Sequence, residues 1–147
     1  MPTPPPPKPD LTSRFAAGVL ALGILAVLST AAFLTPDQRG HGTHESLGLP
    51  ECGWIVAFDR PCPTCGMTTA FAHAAEGQYL TAFQTQPMGT LLALTAATLF
   101  WAFASIALRA TNLWPEIALL TNPRAVWTAV TALALAWAYT FLTWPAT

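Results

Sequence analysis

Three uncharged apolar runs, at residues 15–34, 88–108 and 125–143, constrain this chain more than any other feature. A bilayer hydrocarbon core of about 30 Å takes about 20 apolar residues of helix to cross, and each run has that length. The sequence therefore predicts an all-α membrane protein with three transmembrane helices at those positions. Composition agrees. Hydrophobic residues make up 53% of the 147 and charged residues 9%, against about 25% charged in a soluble domain. Too few polar side chains remain to coat a globule, so lipid is the expected surroundings.

The first run is long for the apolar region of a signal peptide, and Ser29-Thr30-Ala31 is a poor cleavage site, so it reads as a retained anchor. The other two are flanked by Arg109 and Arg124, with Trp114, Trp127 and Trp144 where an aromatic belt would sit. Lys8, Arg14, Arg109 and Arg124 fall on one side of a three-span protein, and Arg39 and Arg60 on the other. Basic flanks favour the cytoplasm. The expected topology is a multi-pass protein of the bacterial inner membrane with a cytoplasmic N-terminus and an extracytoplasmic loop at 35–87. Residues 1–14 form a Pro-rich tail in which helix is disfavoured, and 109–124 form the second connection.

No ionisable residue interrupts the spans, which argues against a pump or an ion pathway, since those place charge in the bilayer. Thr95, Thr98, Ala102 and Ser105 share one face of the second span, Ala93 and Ala97 begin another, and Ala132 and Ala136 recur in the third. Small faces let helices approach closely. The expected partners are thus the lipid bilayer and other membrane helices. With a net charge of -1 and no basic patch, a nucleic-acid partner is excluded.

All three cysteines and all three histidines lie in the loop. Met67, Ala70, Phe71 and Ala74 make one apolar stripe at helical spacing, and Gly77 supplies a stop. This predicts a short amphipathic helix at about 66–76. The residues from Tyr79 to Phe83 are apolar enough to dip into the headgroups, and Pro87 suits the first turn of the second span.

The stretch Pro61-Cys62-Pro63-Thr64-Cys65-Gly66-Met67-Thr68, with Cys52 upstream, Gly77 beyond and Pro87 before a span, resembles a family of small bacterial membrane proteins known as domain of unknown function 2752. The family pattern has C-P, a spacer, P-C-P-G-C-G-x-T-R-A, then G-D and N-P. Here Gly53 follows Cys52, and Thr64, Thr69, Gln78 and Gln86 stand at the glycine, arginine, aspartate and asparagine positions. The likeness runs over roughly 51–92. It implies the same membrane architecture and carries no activity across.

Chemistry must then come from spacing. Cys62 and Cys65 could supply two zinc ligands, with Cys52 as a third and His73 as a fourth, His41 and His44 being alternatives; a single Cys-x-x-Cys is a weak zinc signal. Cys62 and Cys65 near a helix start also fit a thiol–disulfide exchange pair, although no strands frame them. In an oxidising compartment a bridge from Cys52 to Cys62 or Cys65 would close a loop worth about 3 kcal/mol in the chain-entropy model. Gly66 stands where a covalent haem motif needs histidine. His41, His44, Asp59, Glu51 and Glu76 read most simply as solvated loop residues, and no Ser-His-Asp order, phosphate loop or carboxylate pair is present. The expectation is a non-catalytic accessory subunit of a larger membrane assembly whose Cys-x-x-Cys loop is a staple or metal knot, with thiol exchange and zinc binding as alternatives.

Overall fold

Three long helices carry the apolar runs. In the computed structural model, which describes residues 9–113, 118 and 121–144, they are α1 (Leu11–Phe33), α5 (Pro87–Arg109) and α6 (Pro123–Thr143). The Pro-rich tail as far as Lys8, Trp114 and part of the second connection lie outside the described residues. At about 1.5 Å per residue, each helix spans about 30–35 Å, enough to cross a bilayer, and all three are long and apolar enough to do so. Large side chains point outward along them: Leu22, Trp101, Leu135 and Leu142 are exposed. Such a surface fits lipid. Asp10 caps α1 by accepting from Ser13 N–H at 3.1 Å.

Between α1 and α5 the loop is more helical than one amphipathic segment. A 3-10 turn (Thr43–Leu47) precedes α2 (Gly53–Phe58), α3 (Met67–Ala75) and α4 (Tyr79–Thr85). No strand occurs among the described residues. α3 is the helix announced by the apolar stripe, but it is buried on more than that stripe, because Thr69 and Ala72 are buried with Ala70. It is held against α1, α4 and α5 rather than lying free on a surface. α4 keeps Tyr79, Leu80 and Phe83 exposed.

Small residues build the seam between α1 and α5. Ala17 and Ala21 are buried against Phe103 and Ile106, and a side chain at Gly18 would touch Ala107 Cβ at 3.9 Å. Lacking bulk there, the backbones come close, which is how helices associate where no hydrophobic drive separates protein from lipid. Thr95 and Thr98 are exposed, each hydroxyl donating to its own helix, at Leu91 O and Leu94 O. At the loop-distal end Arg14 donates from Nε and Nη2 to Ala107 O at 3.2 and 2.9 Å, satisfying a last-turn carbonyl of α5. α6 meets the rest through its second half, where Ala136 and Thr140 are buried.

Candidate functional site

The cap formed by the loop is fastened at a few named points. Gly66 has φ +81°, and a Cβ there would stand 2.8 Å from Gly40 O, so only glycine fits without displacement. Gly89 lets α3 cross α5, with Ala70 Cβ 3.0 Å from where its own Cβ would be. Gln86, fully buried, does two jobs. Its Oε1 accepts from Gly89 N–H at 2.9 Å as the N-cap of α5, and its Nε2 donates to Pro63 O at 3.3 Å. The amide thereby joins the first turn of a span to the segment between Cys62 and Cys65. Thr69 pairs its hydroxyl with Thr43 at 2.8 Å, and Thr43 Oγ1 accepts from Asp37 N–H at 3.0 Å.

From the other side α6 closes on the same segment. Trp137 Nε1 donates to the carbonyl of buried Pro61 at 3.3 Å, Tyr139 donates to Gln84 O at 3.2 Å, and the Arg60 guanidinium lies 5.3 Å from the centre of the Phe141 ring. The cysteine segment is thus held between the start of α5 and the end of α6. His41 packs against Trp144 with the rings tilted by 42° and their centres 4.6 Å apart.

Cys52, Cys62 and Cys65 converge although Cys52 lies ten residues before Cys62 and thirteen before Cys65 in sequence. Asp59, with φ +53°, ends α2 and reverses the chain. Cys62 then adjoins both Cys52 and Cys65, close enough to influence the ionisation of each. All three thiols are free. Their environments differ. Burial pushes the Cys65 thiol up to about 12, and the neighbouring Cys62 and Cys52 would oppose a further negative charge. Cys52 is only half-buried. Partial burial raises its pKa, but the Ile55 and Trp54 amides and the Cys62 thiol outweigh that and hold it below the ordinary thiol value. Cys62 Sγ lies 3.4 Å from Thr64 Oγ1.

The three thiols line a cavity of about 640 Å³. The last turns of α1, including Val27, Thr30 and Ala31, also line it, with the 3-10 turn and α3. His41 and His44 also line it. His41 Nδ1 pairs with Arg39 O at 3.0 Å and His44 Nε2 with Pro50 O at 3.2 Å. A carbonyl only accepts, so each of these nitrogens carries the proton. In a neutral ring the second nitrogen is then an acceptor. His73 is elsewhere, donating from Nδ1 to Gln78 Oε1 at 3.0 Å while Gln78 Nε2 donates to Glu76. Among the described residues, no three His, Cys, Asp or Glu side chains are arranged to hold a metal ion.

Residues 52–100 match the model of a family described as "Protein of unknown function (DUF2752)". Over that stretch the chain is similar to the DUF2752 family. The DUF2752 region thus begins at Cys52, takes in the whole cysteine cluster, α3 and α4, and ends within α5. It covers about a third of the chain. No curated protein and no solved structure matches the chain. Sequence reasoning named each cysteine in the cluster but missed Gln86 as the DUF2752 region's internal fastener. The signal was available: an amide side chain directly before Pro87 is an N-cap followed by proline at the first helical position.

Proposed function

We propose that this membrane protein performs thiol–disulfide exchange, with Cys52 and Cys62 as the working pair. The observation that carries the reading is the gathering of three unequal thiols around one cavity. Cys52 is the attacking group, because its environment favours the thiolate, and the thiolate is the nucleophile. It attacks one sulfur of a client disulfide, displaces the other as a client thiolate, and forms a mixed disulfide. The Cys62 thiolate then attacks Cys52 Sγ, which releases the second client thiolate and leaves a Cys52–Cys62 disulfide. The same steps in reverse oxidise a client dithiol. Cys65, buried and hard to ionise, supports the wall and takes no part. The reading assigns the loop to the extracytoplasmic face of the bacterial inner membrane, where disulfides persist; it is supported by Lys8, Arg14, Arg109 and Arg124 falling to the other side of the spans.

Mixed-disulfide trapping tests it. With the purified protein and a disulfide peptide, Cys62→Ser is expected to accumulate a peptide adduct at Cys52, Cys52→Ser to form none, and Cys65→Ser to turn over. An adduct at Cys65, or turnover by Cys52→Ser, would overturn the assignment. Association with a larger assembly as an accessory subunit is a second reading, supported by the first half of α6, where Val126, Trp127 and Val130 are exposed. Crosslinking from Trp127 in membranes tests that role, and recovery of lipid adducts alone would count against it.

A further inference from the structure

We infer that the cavity beside the thiols takes a membrane quinone, which accepts two electrons from the Cys52–Cys62 pair. This rests on the exchange reading and adds the acceptor that would regenerate its disulfide. The loop-side end of a spanning helix, with Val27, Thr30 and Ala31, lines the same cavity as the three thiols. Val27 and Thr30 are exposed on α1, so the cavity borders the surface that lipid would cover. A ligand reaching it from the bilayer meets sulfur at the end of an apolar approach. The volume of about 640 Å³ falls within the range of small-molecule sites, about 300–1,000 Å³.

Redox bookkeeping narrows the occupant. Closing a Cys52–Cys62 disulfide releases two electrons and two protons, and a quinone takes up both pairs in becoming a hydroquinone. An acyl chain has the right polarity but accepts nothing. In the step itself, the Cys52 thiolate bonds to an electrophilic carbon of the quinone ring. The Cys62 thiolate attacks Cys52 Sγ, the sulfur–carbon bond breaks, and its electron pair stays on the ring. The two protons lost by the thiols complete the hydroquinone, so dithiol plus quinone becomes disulfide plus hydroquinone. His41 and His44, each with an acceptor nitrogen in the neutral ring, line the same cavity and can take up those protons.

The test uses the full chain in lipid nanodiscs, reduced and freed of reductant, mixed with a short-chain ubiquinone. That ring is fully substituted, which disfavours irreversible capture of thiols. The expected result is about one hydroquinone per chain, with a Cys52–Cys62 disulfide mapped by mass spectrometry. Cys52→Ser and Cys62→Ser should each abolish it. Thr30→Trp, at an exposed position on the cavity wall, should raise the quinone KM at least tenfold while exchange with an aqueous disulfide peptide continues. Normal peptide exchange with no hydroquinone formed overturns the quinone proposal and leaves the exchange reading standing. Loss of both activities in the parent protein overturns both. Equal quinone kinetics in Thr30→Trp, or an acyl lipid retained in the cavity with no quinone turnover, also overturns the proposal.

Discussion

Gln86→Ala should loosen the cysteine loop without disturbing the spans. The side chain is fully buried and makes two hydrogen bonds, to Gly89 N–H and Pro63 O. Leaving the buried Gly89 amide without its N-cap acceptor costs about 2 kcal/mol, and losing the bond to the half-buried Pro63 carbonyl adds about 1 kcal/mol. The sum of about 3 kcal/mol corresponds to on the order of a hundredfold more opening, at tenfold per 1.4 kcal/mol. Cys65 is the reporter because it is buried between the two anchored ends. In a Cys52→Ser, Cys62→Ser background it is the sole thiol. Its alkylation rate in detergent, at fixed pH and without denaturant, follows the equilibrium for local opening when closing is fast. Gln86→Ala should raise that rate by on the order of a hundredfold. Tyr139→Phe, which removes a hydrogen bond from an exposed hydroxyl, should change it by less than about threefold, as expected for about 0.5 kcal/mol. Similar rates for the two variants would refute the fastening role given to Gln86.

Two further outcomes follow from the loop. Gly66→Ala puts a Cβ into a left-handed backbone and 2.8 Å from Gly40 O; strain alone costs about 1 kcal/mol, the collision adds to it, and thermal unfolding in detergent should show the protein less stable by about 2 kcal/mol or more. Asp37 is held down to about 2, chiefly by hydrogen bonds from the Arg39 side chain and backbone. A carboxylate with a lowered folded pKa stabilises above its unfolded pKa near 4 and loses that contribution as pH falls toward 2. Because the pair is exposed, acid titration of loop opening should show an Asp37→Asn difference below about 1 kcal/mol, confined to pH above about 2.

The spans were legible because length and the absence of charge decide them without reference to any partner. α3 was legible for a related reason, since Met67, Ala70, Phe71 and Ala74 repeat at helical spacing. α2 was not: Gly53–Phe58 is too short to show a period, and its end depends on Asp59 taking a left-handed conformation that nothing nearby announces. The joining of Cys52 to Cys62 hangs on that turn and on contacts from α6 to Pro61 and Gln84, made by residues more than fifty positions away. Spacing in the sequence singled out Cys62 and Cys65. It could not reveal that burial separates Cys65 from its neighbours in ionisation. Thr69 and Gln86 looked like losses from a family pattern, whereas each makes a buried hydrogen bond that holds the cap.

Both ends of α5 are finished by side chains, its own N-cap Gln86 at the loop end and Arg14 of α1 at the far end. A helix finished in this way depends less on water at its termini, so its depth in the bilayer follows the protein rather than the headgroups. α6 differs, being attached mainly through its second half. Fractions of a kcal/mol per Å of thickness mismatch favour whichever helix tilts most easily. A thinner or thicker membrane would therefore be accommodated by α6 swinging about its tethered end, with α1 and α5 keeping their mutual register.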